Sequence, residues 1–183
     1  MNNSEAMNTD TWVYPIGRYQ SPEALTQDLI KQSISVIQAL PSWLDVCIEN
    51  LDESQLDTSY RPEGWTVSQV IHHLADSHMN AYIRLKLTLT ENNPTVKPYD
   101  EKLWAELPDN KLVPVNVSIT LLHALHRRWV ETLRSMTEED WLRTYYHPES
   151  KEHVVLWQMI AHYAWHSRHH MEQIRTLRER QGW

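Results

Sequence analysis

The chain has 183 residues, a length that suits one domain, and 41% of them are apolar, which is enough to build a core. Its formal net charge of −7 argues against non-specific nucleic-acid binding, because contacts with phosphate need clustered positive charge. With only three glycines and one cysteine, Cys47, the composition excludes Gly-rich phosphate loops, an internal disulfide framework and zinc sites built from several cysteines.

The start of the sequence is polar. Residues 1–13 are predicted to form an N-terminal tail, and residues 14–183 a single domain. The tail has neither the basic region nor the apolar stretch of a signal peptide, and no apolar run approaches the roughly 20 residues of a membrane span. Together with the single cysteine, these features predict a protein of the reducing cytoplasm, with no membrane or nucleic-acid partner.

The first helix is predicted to open with Ser21 as N-cap and Pro22 at the first helical position. Apolar residues then recur at steps of three and four up to Leu40, the pattern of an amphipathic helix. Pro41 is expected to kink or interrupt this helix before the pattern resumes.

The second helix is predicted to begin at Thr66, since Thr66 and Gln69 form a capping box after the turn at Gly64. Residues 92–116 follow, and their four prolines predict a long ordered loop with one short helical turn near residues 101–107. A loop of this length inside a compact domain is more often functional than idle.

Two further helices complete the pattern. The third runs over residues 118–136 and is predicted to be capped by Ser118 or Asn116. A hairpin is expected around residues 147–150, and the fourth helix from about Val154 to Arg180, ending at Gly182. Four amphipathic helices of this length predict an all-α protein, a four-helix bundle with a long loop between its second and third helices.

The fourth helix carries a cluster of histidines. His162, His166, His169 and His170 fall in one stripe roughly 100° wide on a helical wheel. The i, i+4 pair His166/His170 can direct two imidazoles at one metal ion, and the overlapping pair His162/His166 competes with it. The spacing alone leaves both pairs open.

The second helix offers a further ligand. His73 shares a face with Asp76 and Asn80 and lies among apolar positions at the buried edge of its helix. A buried imidazole without a partner costs about 1–3 kcal/mol, and facing histidines satisfy it only if a cation lies between them. The remaining histidines of the helices are interpreted more simply. His72 and His169 are expected at the surface or beside the ligands, and His123 and His126 at the surface.

Other kinds of site are excluded by the sequence. A metalloprotease motif needs Glu directly after the first histidine, where this chain has Ser167. No Glu precedes any histidine by three residues, which excludes a ferritin-like di-iron site, and no Gly-x-Ser-x-Gly motif is present. The prediction that remains is a mononuclear site with three histidine ligands and an open position, the arrangement of a catalytic metal.

Several motifs together resemble a known family. They are "GWTVSQVIHHLADSHMN", "KPYDEKLWAEL", "HPES", "YAWHSRHHMEQI" and "LRERQGW". In combination they resemble the DinB-like four-helix proteins, and more closely the YfiT-type metal-dependent hydrolases of bacteria. The resemblance runs from about "YPIGRYQ" to the C-terminus, which is nearly the whole chain.

The resemblance implies a four-helix bundle that forms a homodimer and binds one divalent metal ion per chain, Zn²⁺ or Ni²⁺. In the family the first ligand is the histidine directly before the apolar residue of the second-helix motif, here His73. The other two ligands form the i, i+4 pair on the last helix, here His166 and His170. The resemblance therefore selects His170 over His162.

The resemblance also implies a function. The main expectation is a metal-dependent hydrolase of a small-molecule substrate, and the alternative is an S-transferase for a low-molecular-weight thiol such as bacillithiol. Both suit an open three-histidine ion, which lowers the pKa of bound water to about 7 and deprotonates a bound thiol. A bundle stabilised by metal without catalysis is the third alternative. Asp76 and Asn80 are predicted to orient an imidazole or to contact bound solvent.

Overall fold

The computed structural model describes residues 9–183, and four long helices dominate it. In chain order the elements are α1 (Thr9–Val13), α2 (Gln27–Cys47), α3 (Glu53–Leu56), α4 (Val67–Thr90), α5 (Glu101–Ala105), α6 (Asp109–Leu112), α7 (Val115–Arg134), α8 (Glu138–Trp141), β1 (Thr144–His147), β2 (Glu152–Val155) and α9 (Leu156–Gln181). Residues 1–8 of the predicted tail lie outside the described residues, and its last five residues form α1. Among the helices of residues 9–183, none has the length and apolar character needed to cross a bilayer.

Helix α2 begins later than predicted. Ser21 is not its N-cap; the Thr26 side chain accepts a hydrogen bond from the Leu29 backbone N–H at 3.1 Å. Leu25 and Ile30 flank this cap and pack against the same core cluster, the arrangement of a hydrophobic staple. Of the two predicted effects of Pro41, a kink or an interruption, the interruption is wrong, because α2 continues through it to Cys47.

The ends of the other long helices agree more closely with the sequence. Thr66 and Gln69 form the predicted capping box of α4. Gly182 ends α9 in a left-handed conformation with φ of 71°, which glycine adopts without strain. Helix α7 instead starts at Val115 after Pro114, so neither Asn116 nor Ser118 caps it. The Ser118 hydroxyl is used elsewhere, 2.8 Å from His72 Nδ1.

The four long helices form a bundle in which α2 and α4 each pack against both α7 and α9. This places α2 and α4 on one diagonal, with α7 and α9 on the other. The predicted four-helix bundle is therefore confirmed. Successive long helices are neighbours only between α4 and α7, across the long loop, while the other two connections cross a diagonal.

The hairpin and the long loop are fastened to each other. Strands β1 and β2 pair antiparallel, with Thr144 opposite Val155, which confirms the predicted hairpin. The Val96 N–H donates to the Tyr146 carbonyl at 3.0 Å, and the Tyr146 N–H donates to the Pro94 carbonyl at 2.9 Å. The loop predicted between the second and third helices is therefore ordered, and these two backbone hydrogen bonds hold it on β1.

The apolar core is divided into two clusters along the bundle. One contains Trp129, Leu85, Ile160 and Tyr163, and the other contains Leu44, Ile71, Leu122 and Ile174. On α9 the stretch between Tyr163 and Ile174 separates them, and this stretch holds two of the three predicted histidine ligands, His166 and His170.

Candidate metal centre

The three histidines selected by the resemblance converge at one point. His73 comes from α4, and His166 and His170 come from successive turns of α9. One ring nitrogen of each lies within 4.8 Å of the others, and the Nε2 atoms of His73 and His166 are 3.2 Å apart. His73 and His170 are buried, while His166 is partly exposed. Two distant segments of sequence thus place three imidazoles around a volume that suits one ion.

Hydrogen bonds decide which nitrogen of His170 faces this volume. Its Nδ1 lies 2.8 Å from the Gln173 side-chain oxygen, which can only accept, so Nδ1 carries the proton. The lone pair of the neutral ring is then on Nε2. The amide nitrogen of Gln173 donates to the Val13 carbonyl at 2.9 Å and to His169 Nε2 at 3.1 Å, which fixes the orientation of the amide group.

The electrostatic environment keeps these rings neutral. Burial lowers the pKa of His73 to about 4 and moves the pKa values of His166 and His170 well below the ordinary range. The neighbouring histidines add to the effect, since a charge on one imidazole disfavours a charge on the next. At neutral pH all three therefore present uncharged nitrogen donors, the form in which histidine binds a metal.

This donor set fits a divalent cation. Three neutral imidazoles with no carboxylate or thiolate among them suit the ions that prefer nitrogen, such as Zn²⁺, Ni²⁺, Cu²⁺ and Fe²⁺. His73 Nε2 and His166 Nε2 lie at hydrogen-bond distance, where two lone pairs would repel unless a proton on one nitrogen or a cation lies between them. A divalent ion held by three protein ligands would keep a further coordination position for water or substrate.

All three histidines lie in the wall of a cavity of about 830 Å³. This volume lies in the range typical of small-molecule sites, about 300–1,000 Å³. Aromatic residues, among them Trp65 and Trp165, form much of the lining, and the Trp65 ring lies 4.6 Å from the His73 ring. Charged residues of both signs complete it, including Arg61, Arg84, Lys102, Glu63, Glu101 and Glu149.

Two cavity carboxylates come from the segments outside the bundle. Glu101 is the first residue of α5, in the long loop, and Glu149 lies in the turn between β1 and β2. Burial raises the pKa of Glu101, and the nearby charges of Asp100 and Glu149 raise it further against the opposing effect of Lys102. The loop and hairpin thus bring acid–base groups to the same cavity as the histidines.

Asp76 and Asn80 are placed differently from the predicted ligands. The Asn80 amide donates to the Asp76 backbone carbonyl at 2.9 Å, and neither residue is among those that line the cavity. Burial, with a contribution from the charge of Asp109, raises the pKa of Asp76 to about 6. Asp76 therefore lies toward α6, and the predicted role of the pair stays a prediction.

Three side chains behind the ligands were missed by the sequence reasoning. His126 was expected at the surface, which is wrong, since it is 2% exposed; His78 is fully buried and Gln173 is 2% exposed. The signal for His126 was available, because it falls at helical steps among the buried residues Leu122, Trp129, Val130 and Leu133. His123, three residues earlier, is exposed as predicted and pairs with Asp45 at 2.7 Å.

His72 and His169 are buried as well. His72 contacts Ser118 on α7, on the side of α4 away from the cavity, whereas His169 lines the cavity and receives the Gln173 amide. The alternative that placed them at the surface is wrong. His169 lies beside the predicted ligand His170, and His162, of the competing pair, lines the cavity outside the group of three.

Comparison with known proteins connects this geometry to a family. The DinB superfamily profile matches residues 36–174, a range that contains all three histidines. A Bacillus cereus (strain 03BB102) protein named "Putative metal-dependent hydrolase" is 52% identical over 170 residues, covering 93% of this chain and 97% of the relative. A Bacillus thuringiensis subsp. konkukian protein with the same designation matches to the same extent, 52% over 170 residues.

A solved structure agrees with the fold as well as the sequence. It is described as YfiT from Bacillus subtilis, "a probable metal-dependent hydrolase with an unusual four-helix bundle topology". The two structures superpose with a TM-score of 0.92 at 46% sequence identity, covering 94% of this chain and 99% of the other.

Proposed function

The chain belongs to the DinB superfamily, and we propose that it is a metal-dependent hydrolase whose ion is held by His73, His166 and His170. The observation that carries the proposal is the convergence of three neutral imidazoles at the wall of a cavity of small-molecule size. We take the ion to be Zn²⁺ or Ni²⁺, one per chain, because both bind neutral imidazole nitrogen well.

The chain's own residues prepare the site for this chemistry. Burial keeps His73 and His170 uncharged, and Gln173 holds the His170 ring with its Nε2 lone pair toward the cavity. When bound, such an ion lowers the pKa of water to about 7 and polarises a substrate carbonyl group. Three ligands from the bundle leave the cavity side for the substrate, as in catalytic rather than structural metal sites.

Hydrolysis also needs a group that takes up and returns a proton. We assign this role to Glu101, which lines the cavity and whose pKa is raised above its usual value by partial burial. Glu149, on the facing hairpin turn, is the alternative. This assignment supplies the general base for which the sequence offered no candidate motif.

The residues that line the cavity indicate the chemical character of the substrate. Its Trp and Tyr rings favour a molecule with an apolar part, and its Arg, Lys and Glu side chains favour polar or charged groups at the other end. A small ester or amide of mixed character fits this description.

The thiol S-transferase is the second candidate, and the size of the cavity favours it. A volume of about 830 Å³ accommodates a thiol and an electrophile together. The chain's own thiol does not serve, because Cys47 lies at the end of α2 outside the cavity and burial raises its pKa to about 11. The thiol would therefore be a second substrate, and the same three histidines would hold the ion.

Paired turnover assays test the proposal and separate the two candidates. Protein loaded with Zn²⁺ or Ni²⁺ is given a panel of small esters and amides, and separately electrophiles, each with and without an added low-molecular-weight thiol. We expect hydrolysis without thiol, lost in His170→Ala and after chelation. Consumption of an electrophile only when thiol is present would select the transferase. No turnover in either assay, with the metal bound, would leave the non-catalytic bundle.

A further inference from the structure

A row of histidines crosses the bundle behind the metal centre, between the two core clusters. His126 of α7 lies next to His78 of α4, with His126 Nε2 2.9 Å from His78 Nδ1. His78 Nε2 lies 3.3 Å from Nδ1 of His166 on α9. His126 is 2% exposed and His78 is fully buried, so solvent does not complete their hydrogen bonds. We call His126, His78 and His166 the histidine row.

The row starts at a backbone carbonyl of α2, the first long helix. His126 Nδ1 makes a short hydrogen bond to the carbonyl oxygen of Ile37 in α2. In an uninterrupted helix that oxygen would accept from the N–H of the residue four positions later. That residue is Pro41, which has no N–H, so the proline frees the Ile37 carbonyl inside the helix and His126 satisfies it.

The carbonyl fixes the direction of every hydrogen bond in the row. An oxygen of this kind can only accept, so His126 Nδ1 carries a proton. His126 is buried without a carboxylate beside it and is therefore neutral, which makes its Nε2 an acceptor. His78 Nδ1 must then donate to it. By the same reasoning His78 Nε2 accepts, and the proton of His166 lies on Nδ1.

The last ring of the row is the proposed metal ligand. With its proton on Nδ1, His166 has its lone pair on Nε2, the atom that lies 3.2 Å from His73 Nε2. A ligating histidine commonly donates its other ring N–H to a partner that fixes its tautomer and its orientation. Here that partner is a neutral imidazole rather than a carboxylate, and a further imidazole and a backbone carbonyl stand behind it.

We propose that the histidine row sets the tautomer and the orientation of His166 for metal binding, so that His78 and His126 are positioning residues of the centre. The proposal rests on the proposed function, because it requires His166 to be a ligand. His170 is held in parallel by Gln173, so each ligand on α9 has its own neutral acceptor behind it. The row also links the metal centre to α2 and α7, two helices that supply no ligand.

The tautomers can be read directly without any metal. We would record long-range ¹H–¹⁵N correlation spectra of the histidine rings of the full-length protein at neutral pH, before and after adding Zn²⁺. Signals of the row are assigned from their loss in single variants. The row requires the proton on Nδ1 in His126, His78 and His166. A proton on Nε2 of His126 or His78 would overturn the proposal, whatever the metal does.

Two variants at one position separate positioning from packing. His78→Gln keeps an amide N–H toward His126 and an oxygen toward His166, whereas His78→Leu keeps neither. We expect the dissociation constant for Zn²⁺, from competition with a chromophoric chelator, to rise about 10–100-fold in His78→Leu. His78→Gln should recover most of this loss. Equal weakening in both variants would show an effect of packing alone and would overturn the proposal.

His123→Phe and His126→Phe provide a matched pair on α7, three residues apart. His123 is exposed and outside the row, so its variant should bind Zn²⁺ like the wild type, while His126→Phe should bind more weakly. Unchanged affinity in His126→Phe would also overturn the proposal. Failure of the proposed function looks different, because the wild-type protein itself would then take up no metal.

Discussion

Gln173 offers a sharp test of how the second ligand of α9 is held. Its side chain is 2% exposed and makes three hydrogen bonds. The oxygen accepts from His170 Nδ1 at 2.8 Å, and the nitrogen donates to the Val13 carbonyl at 2.9 Å and to His169 Nε2 at 3.1 Å. Gln173→Leu preserves much of the volume but removes all three hydrogen bonds.

The expected loss follows from the groups left unpaired. A buried polar group without a partner costs about 1–3 kcal/mol. In the variant, one ring nitrogen of His170 and one of His169 lose their hydrogen-bond partner, and both residues are buried. We therefore expect the free energy of unfolding of the metal-free protein to fall by roughly 2–6 kcal/mol. The affinity for Zn²⁺ should fall about 10–100-fold, because nothing then keeps the His170 proton on Nδ1.

Denaturant unfolding measures the first quantity, and chelator competition the second. Gln181→Leu, at an exposed position of the same helix, controls for the substitution and should change neither. Gln173→Glu keeps an acceptor for His170 but loses the donor toward Val13, so it should lose stability while retaining metal affinity. If Gln173→Leu bound Zn²⁺ as tightly as the wild type, the account of how His170 is oriented would be refuted.

Two further predictions concern the proton-transfer group and the response to pH. Glu101→Gln should lower turnover at least about tenfold with the metal still bound. The same turnover assay on Asp76→Asn tests the predicted role of Asp76. Unchanged turnover in that variant would show that Asp76 is not part of the site. Burial lowers the pKa of His126 from 6.5 to about 4 in the folded protein, so the unfolded chain binds more protons between these values. Calorimetry of the metal-free protein should thus show a melting temperature that falls as pH drops from 6.5 toward about 4, less steeply in His126→Phe; a melting temperature constant over that range would contradict the reasoning.

The bundle could be predicted because its long helices carry apolar residues at helical steps and strong end signals. Thr66 with Gln69 and the terminal Gly182 are such signals, and both ends lie within a residue or two of the prediction. Ser21 and Thr26 show the limit of this approach. Both are good N-cap residues, and the structure uses the second, where Leu25 and Ile30 flank the cap and pack against the core. In the sequence, Pro22 directly after Ser21 favoured the first residue, so the start of α2 was predicted too early.

The candidate site, like the fold, could be predicted from the sequence only in part. Helical spacing placed His166 and His170 on one face but left His162 as a competitor, and the family resemblance selected among them. The histidine row could not be predicted from the sequence, because it depends on which face of α7 packs against which face of α4. Pro41 is the clearest case. The sequence predicts a kink or a break in α2 at this proline. The structure keeps the helix continuous, and a histidine from another helix satisfies the carbonyl that the proline frees.

The metal content of the purified protein tests the central claim most directly. Plasma mass spectrometry would be applied to the wild type, His73→Ala and His162→Ala after loading with Zn²⁺ or Ni²⁺ and removal of excess ion. The account predicts about one ion per chain in the wild type and in His162→Ala, which lies on the cavity wall but outside the three ligands, and a large loss in His73→Ala. No ion in the wild type, or an ion retained by His73→Ala and lost by His162→Ala, would contradict it.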